Sequence, residues 1–131
     1  MCTLTWTRAR GEATRPEGYR LWFNRDELRS RGPEVPPRVE ETASGLRYVA
    51  PADSDAGGTW IAANELGITV ALLNGYRSSR GEPRDQWTSR GHLVRELAGI
   101  RSLTEAWRRL SPERLRPFRP LVLAILTPDR P

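Results

Sequence analysis

The chain contains no lysine; its 21 basic side chains are all arginine, and they give a formal net charge of +5 and an isoelectric point near 10.5. A basic surface attracts anions of any kind. Most of these arginines are interleaved with Asp or Glu and no aromatic-plus-basic module accompanies them, which argues for a coding preference and against nucleic acid as a partner. Cysteine is equally scarce. Cys2 stands alone, so an intrachain disulfide is excluded and nothing marks an oxidising compartment. His92 is the only histidine and is distant in sequence from Cys2, leaving no ligand pair at zinc spacing. Asp53 and Asp55 ahead of Gly57 and Gly58 resemble part of a calcium loop, but Asn64 stands where the closing glutamate belongs, and an EF-hand is rejected. No apolar run is long enough to cross a bilayer, and the N-terminus lacks a basic region followed by an apolar stretch. The expectation is a cytoplasmic protein with no membrane span, no metal and no cofactor. Its 131 residues fit one domain, 1–131, able to bury a core without disulfides.

What the sequence does hold is a series of short strand patterns punctuated by glycine and proline. Cys2, Leu4 and Trp6 alternate with threonines as a half-buried strand starting at the second residue. Residues Arg8 to Gly18 read as a connecting loop, and Tyr19, Leu21 and Phe23 alternate with polar or aromatic neighbours as a second strand. Gly32, Pro33, Pro36 and Pro37 break the chain, and Leu46 to Ala50 reads as a short strand. Pro51 to Gly58 forms a loop of small residues. Thr59 to Ala63 and Ile68 to Asn74 form a hairpin about an Asn64 to Gly67 turn, with ITVALLN apolar enough to be covered on both faces. Tyr76 to Thr88 reads as a polar surface loop. Leu93, Val94 and Leu97 then mark one face of a helix stopped by Gly99, with His92 at its surface. Ser102 and Glu105 form a capping box for a second helix whose inward positions are Leu103, Ala106, Trp107 and Leu110. Ser111 and Pro112 start a third, and Leu121 to Leu126 reads as a buried strand.

The stretch LWFNRDELRSR, Leu21 to Arg31, joins a strand to a charged turn in one step. Asn24 is a competent N-cap and Glu27 stands three residues on, so a capping box leading into a helical turn at Leu28 accounts for the pattern. A functional reading is also open. If the first two strands pair as an antiparallel hairpin, the end of the second lies beside the start of the first, and Asn24 and Arg25 approach Cys2.

Five segments in one order carry a resemblance: MCTLTW at the start, FNRDE after the second strand, AGGTWIAAN in the middle, ALLNGY after it and SRGHLV later. Together they resemble the NRDE family, named for this tetrapeptide and related to transport and Golgi organisation protein 2, from Met1 to about Leu126. The resemblance implies an α+β, N-terminal-nucleophile (Ntn) hydrolase-like fold, a layered αββα sandwich with mainly antiparallel strands. It places Cys2 at the head of the first strand, in a candidate catalytic group with Asn24, Arg25, Asp26 and Asn74. Glu27, Gly57, Gly58 and Trp60 form a candidate ligand-binding group. Removal of Met1 leaves a thiol and a free amine on one residue, and an α-amine with a pKa of about 7.7 to 8.0 can take the thiol proton. Asn74 or a backbone N–H would meet the oxyanion, Arg25 would orient the thiolate or bind a carboxylate, and Asp26 would hold the α-ammonium. The substrate would be a small-molecule amide or related acyl compound.

A second implied role is non-enzymatic: binding or trafficking of haem or an acyl-lipid ligand in the same cleft, walled by Trp6, Trp22 and Trp60. In place of a substrate role, the residues themselves favour a tight turn for Gly57 and Gly58 and core packing for Trp60, and Cys2 also reads as a semi-buried strand start. Family members continue with further strands beyond Leu126, so the chain resembles an N-terminal portion, incomplete at its C-terminus. It is expected to form a homodimer through Leu121 to Leu126, to pair with a separately encoded second half, or to be a truncated, weakly active form.

Overall fold

The structure is a computed structural model that describes residues 2–9, 18–27, 30–75 and 87–128. The elements follow as β1 (Thr3–Ala9), β2 (Gly18–Asn24), β3 (Val35–Glu41), β4 (Arg47–Ala52), β5 (Ile61–Asn64), β6 (Thr69–Asn74), α1 (Arg90–Leu97), α2 (Leu103–Arg109), α3 (Pro112–Leu115) and β7 (Leu121–Leu126). All strand pairs are antiparallel, and the class is α+β. β3 to β7 form one sheet in sequence order, and β1 with β2 forms a separate hairpin. Met1, Leu28, and the loop centres at 10–17 and 76–86 lie outside the described residues, and with them the expectations about Met1 removal, the Leu28 turn and those loops.

Alternation along the large sheet assigns its two faces. Tyr48, Ala50, Ala62, Val70 and Leu72 point to one side, where they meet Leu93, Val94, Leu97, Ile100 and Ala106 in the core. Leu93, Val94 and Leu97 recur at helical spacing, which is why α1 lies flat on β5 and β6. Asn64 fixes the helical layer with its side chain, donating to the carbonyls of Ala98 (3.0 Å) and Ile100 (2.8 Å) and accepting from the amides of Leu66 and Ile68 (both 3.1 Å). Ser102 and Ser111 cap α2 and α3, their hydroxyls accepting from the amides of Glu105 and Arg114.

Three sequence expectations are corrected. Pro36 and Pro37 do not break the chain into a loop; they sit inside β3, an edge strand, at the register shift between Val35 and Arg38, so one missing N–H faces the open edge and the other falls where the ladder is already interrupted. Trp107 is 77% exposed rather than in the core, because α2 leans on the sheet through Ala106 and the next residue is turned about 100° away. β7 is covered on its helix side only in part and Val122 is 56% exposed, since among the described residues no strand lies beyond it in its sheet.

The hairpin occupies the other side of the sheet. Thr69 precedes core residue Val70 and so points away from the helices, and the Tyr19 hydroxyl donates to its Oγ1 (2.6 Å) and lies 2.7 Å from the Gly67 carbonyl. Ala71 and Leu126, on the same side, are 0% and 3% exposed under it. Burial pushes the Tyr19 hydroxyl above its ordinary pKa, against the opposing effect of the Thr69 bonds. Tyr19→Phe is expected to lower stability by about 1 to 2 kcal/mol in urea denaturation, since it removes the hydroxyl pinning this end of the hairpin.

Candidate functional site

Cys2 reaches its position through strand register. Thr3 pairs with Asn24 and Ala9 with Gly18, so the residue before Thr3 faces the segment after Asn24. Cys2 is half-buried, and its Sγ lies 4.0 Å from the Asp26 carbonyl oxygen. The hairpin argument from sequence is borne out to that extent: Cys2 and the Asn24 to Asp26 segment are on the same side and at the same end. The capping box is not formed. Residues 25–27 are not helical, and the Glu27 carboxylate accepts from Arg25 (3.0 Å) instead of turning back to Asn24.

Arg25 is the pivot of this end. Its guanidinium carbon lies 4.0 Å from the centroid of the Trp60 ring, and its nitrogens donate to Asp53 (2.8 Å), Glu27 (3.0 Å) and Glu34 (3.5 Å). A planar group with five donors can stack and bridge at once, where an ammonium could not. Asp53 joins the same cluster from the end of β4 and also accepts from Arg31. Its other oxygen accepts from the amides of Asp55 and Ala56, both 3.0 Å. Burial pushes the Asp53 carboxyl up, but the Ala56 amide, the Arg31 charge, the Asp55 amide and the Arg25 charge together hold it below the ordinary carboxylate range. Arg25 thereby fastens the hairpin end carrying Cys2 to the large sheet.

The turn after Asp53 is closed from within. The Gly57 amide donates to the Asp53 carbonyl (2.8 Å), and Gly57 has a φ of +66°, which suits glycine. Gly58 is buried against the start of α1: a Cβ there would lie 2.7 Å from the Gly91 Cα. Both glycines therefore have a local structural role. Arg95 on α1 donates to the Gly57 carbonyl (2.8 Å) and pairs with Glu40, which also accepts from the Tyr48 hydroxyl (2.5 Å). The Tyr48 hydroxyl first and Arg95 second hold Glu40 below the ordinary carboxylate range.

Beside Arg25 lies an open groove of about 470 Å³, lined by Phe23, Asn24, Val35, Pro37, Pro51 and Trp60 among others. Trp60 contributes to it; Trp6 and Trp22 do not, being about half exposed on opposite faces of the hairpin. Asn74 closes β6 opposite Leu121, at the sheet end that also carries Asp53 and Trp60, because Ile61 pairs with Ala71 and Leu72 donates to the Trp60 carbonyl. Asp53, Arg31 and Glu34 were missed as partners of the site. Asp53 was legible in part, since Asp followed by small residues and glycine is an Asx-turn pattern.

No curated protein and no solved structure matches this chain. The sequence profile of the Transport and Golgi organisation 2 family matches residues 1–114, which covers both sheets except β7 together with the whole cluster around Cys2, Arg25 and Trp60. The chain therefore belongs to the Transport and Golgi organisation 2 family.

Proposed function

We propose that the chain is an Ntn-type cysteine hydrolase of small-molecule amides or related acyl compounds, with Cys2 as nucleophile once Met1 is removed. The observation that carries this reading is the register of β1 with β2, which holds a half-buried thiol at a strand head against Asp26. In the proposed reaction the α-amine of Cys2 takes the thiol proton, sulfur bonds to the acyl carbon, and the amide C–N bond breaks as the proton passes to the leaving nitrogen. Water then cleaves the thioester, releasing the acid and restoring the thiol. Asn74 or a backbone N–H is the proposed oxyanion donor, and Asp26 the partner of the α-ammonium. Arg25 acts as a positioning residue, its guanidinium being engaged by Asp53, Glu27 and Trp60. Gly57 and Gly58 close the turn that presents Asp53 to it. The hairpin and the large sheet correspond in this reading to the stacked sheets of an Ntn-hydrolase-like sandwich, and a reducing cytoplasmic setting suits the free thiol.

Turnover should be sought across amides, esters and thioesters, and Cys2→Ala is expected to abolish it while leaving binding intact. Intact-mass measurement should show Met1 absent. Retention of Met1 would remove the proposed base, and a wild-type chain with no turnover on any of the three classes would end the enzymatic reading.

The groove beside Trp60 favours a second reading, a binding or trafficking role. Its walls mix the apolar surfaces of Phe23, Val35, Pro37, Pro51 and Trp60 with the polar groups of Asn24, Arg25 and Glu34, and this pairing would suit an amphipathic ligand such as haem or an acyl chain with a carboxylate. Ligand binding unchanged by Cys2→Ala, with no turnover in the wild type, is the result this reading expects.

A further inference from the structure

A second cleft, of about 540 Å³, opens on the helical face of the large sheet, at the opposite end of β4 from Asp53. Thr42 and Ser44 of the β3–β4 turn line one side of it, and Arg95 of α1, Arg109 of α2 and Arg114 of α3 line the other. The turn rests directly on the end of α1, since a Cβ on Gly99 would lie 3.1 Å from the Thr42 Cγ2. The cleft shares no residue with the groove beside Trp60, and Cys2 does not line it.

The carboxylates beside these three arginines are not equivalent. Glu40 accepts from Arg95 and also from the Tyr48 hydroxyl (2.5 Å), and Glu105 accepts from Arg109 and also from the Arg101 amide (2.7 Å). Both are fixed by a second donor. Glu96 differs: its side chain is 49% exposed, and Arg114 is its one partner among the described residues. It is also the one acidic side chain lining the cleft. A carboxylate held in that way occupies the place of an incoming anion and is free to turn out to solvent.

Donors remain once it has turned. Each guanidinium carries five N–H groups, of which one or two are engaged by the partners described. Thr42 Oγ1 accepts from the Leu46 amide (3.0 Å) and shares a single hydrogen bond with Ser44 Oγ (3.0 Å). Two hydroxyls supply two hydrogens and that bond uses one, so whichever of them donates, the other keeps a hydrogen for a ligand oxygen.

We infer that this cleft binds the phosphate group of a small organic phosphate, with Arg95, Arg109 and Arg114 on its oxygens, one hydroxyl of the Thr42–Ser44 pair donating to it, and Glu96 displaced. A carboxylate has two oxygens and matches one guanidinium fork. Forks from three helices with a hydroxyl opposite match the three oxygens and the nearly double charge of a phosphate monoester. Ala43 and Gly99, small residues on the same walls, leave room for the organic part. Because the cleft stands apart from the Cys2 end, the inference holds whether or not the chain hydrolyses amides.

Calorimetric titration of the full chain with glycerol 3-phosphate is expected to show saturable binding. Arg114→Gln should weaken it about tenfold and Glu96→Gln should tighten it about threefold, as expected for a charge-assisted bond lost and a competing carboxylate removed. Arg108→Gln removes the same charge from an exposed neighbour that does not line the cleft, and should leave the affinity unchanged. The phosphate can come free or on a lipid headgroup, and a second arm separates the two. Co-sedimentation with phosphatidylcholine vesicles containing phosphatidic acid, lost without that lipid and lost in Arg114→Gln, assigns a headgroup; saturable glycerol 3-phosphate binding without co-sedimentation assigns a free ester. A gain of affinity cannot come from misfolding, so Glu96→Gln decides should Arg114→Gln fail to fold. Binding in neither arm overturns the inference. So does equal weakening by Arg114→Gln and Arg108→Gln, which would reduce it to attraction by a basic chain, or a Glu96→Gln variant that binds no more tightly than wild type.

Discussion

Replacing Asn64 by alanine is expected to lower the folding free energy by about 3 to 5 kcal/mol. The side chain is at the end of β5, in a residue only 7% exposed, and makes four hydrogen bonds. Two of them hold the β5–β6 turn by accepting from Leu66 and Ile68. The other two reach across the layers to the carbonyls of Ala98 and Ile100, just past the end of α1. Alanine would leave two buried carbonyls and two amides to find other partners, each such loss costing about 1 to 3 kcal/mol before relaxation. Asn64→Asp tests the donors separately, since it keeps the acceptor toward Leu66 and Ile68 but turns a carboxylate toward two carbonyl oxygens. It is expected to be at least as destabilising as alanine at neutral pH. Urea denaturation measures both variants, and a loss below about 1 kcal/mol for Asn64→Ala would show that water replaces these bonds and that the helical layer is held by apolar contact alone.

Asn64 also shows where sequence reading stopped. The turn from Asn64 to Gly67 was legible, because asparagine and glycine between two apolar runs mark a hairpin, and Gly67 indeed has a φ of +76°. That the same side chain also anchors the helical layer was not legible, because Ala98 and Ile100 are more than thirty positions away and their carbonyls carry no side-chain signal. Strong local patterns survived folding: β1 and β2 lie where alternation placed them, α1 where helical spacing did, and β6 and β7 where continuous apolar runs did. β3 did not announce itself. Its prolines suppress a strand reading unless the strand is known to be at an edge, and edge position is decided by partners elsewhere in the chain.

The candidate site divides in the same way. Cys2 beside Asp26 followed from hairpin geometry, a local consequence of two adjacent strand patterns. The cluster that holds them did not, because it depends on contacts between the NRDE stretch and a turn nearly thirty residues later. Reading Glu27 as a capping residue assumed a helix that residues 25–27 do not form, and Arg25 is what competes for its carboxylate. Long arginine side chains reach several partners, and neighbouring sequence does not say which.

Arg25→Ala is expected to lower stability by about 2 kcal/mol at neutral pH, and Arg25→Lys by nearly as much. The side chain of Arg25 is 14% exposed and that of Asp53 12%, so this pair is shielded far better than an ordinary surface ion pair, although Glu34 at 56% adds little. Lysine keeps the charge but cannot lie flat on Trp60 while bridging Asp53 and Glu27. The pH dependence has a definite sign. Asp53 is held below its ordinary value of about 3.9, so it contributes stability that is present above that value and is lost as pH falls through its depressed folded value. Arg25→Ala removes one of the charges depressing it, moves the folded value up and shrinks that contribution. The gap between wild type and variant in urea denaturation should therefore be widest near neutrality and close on acidification below about pH 4. A gap that stays constant with pH would assign the loss to the Trp60 stack instead of the carboxylates. Stability equal to wild type at every pH would mean that the end carrying Cys2 is not fastened by Arg25, and that Tyr19 and the apolar cover over Ala71 and Leu126 hold the hairpin.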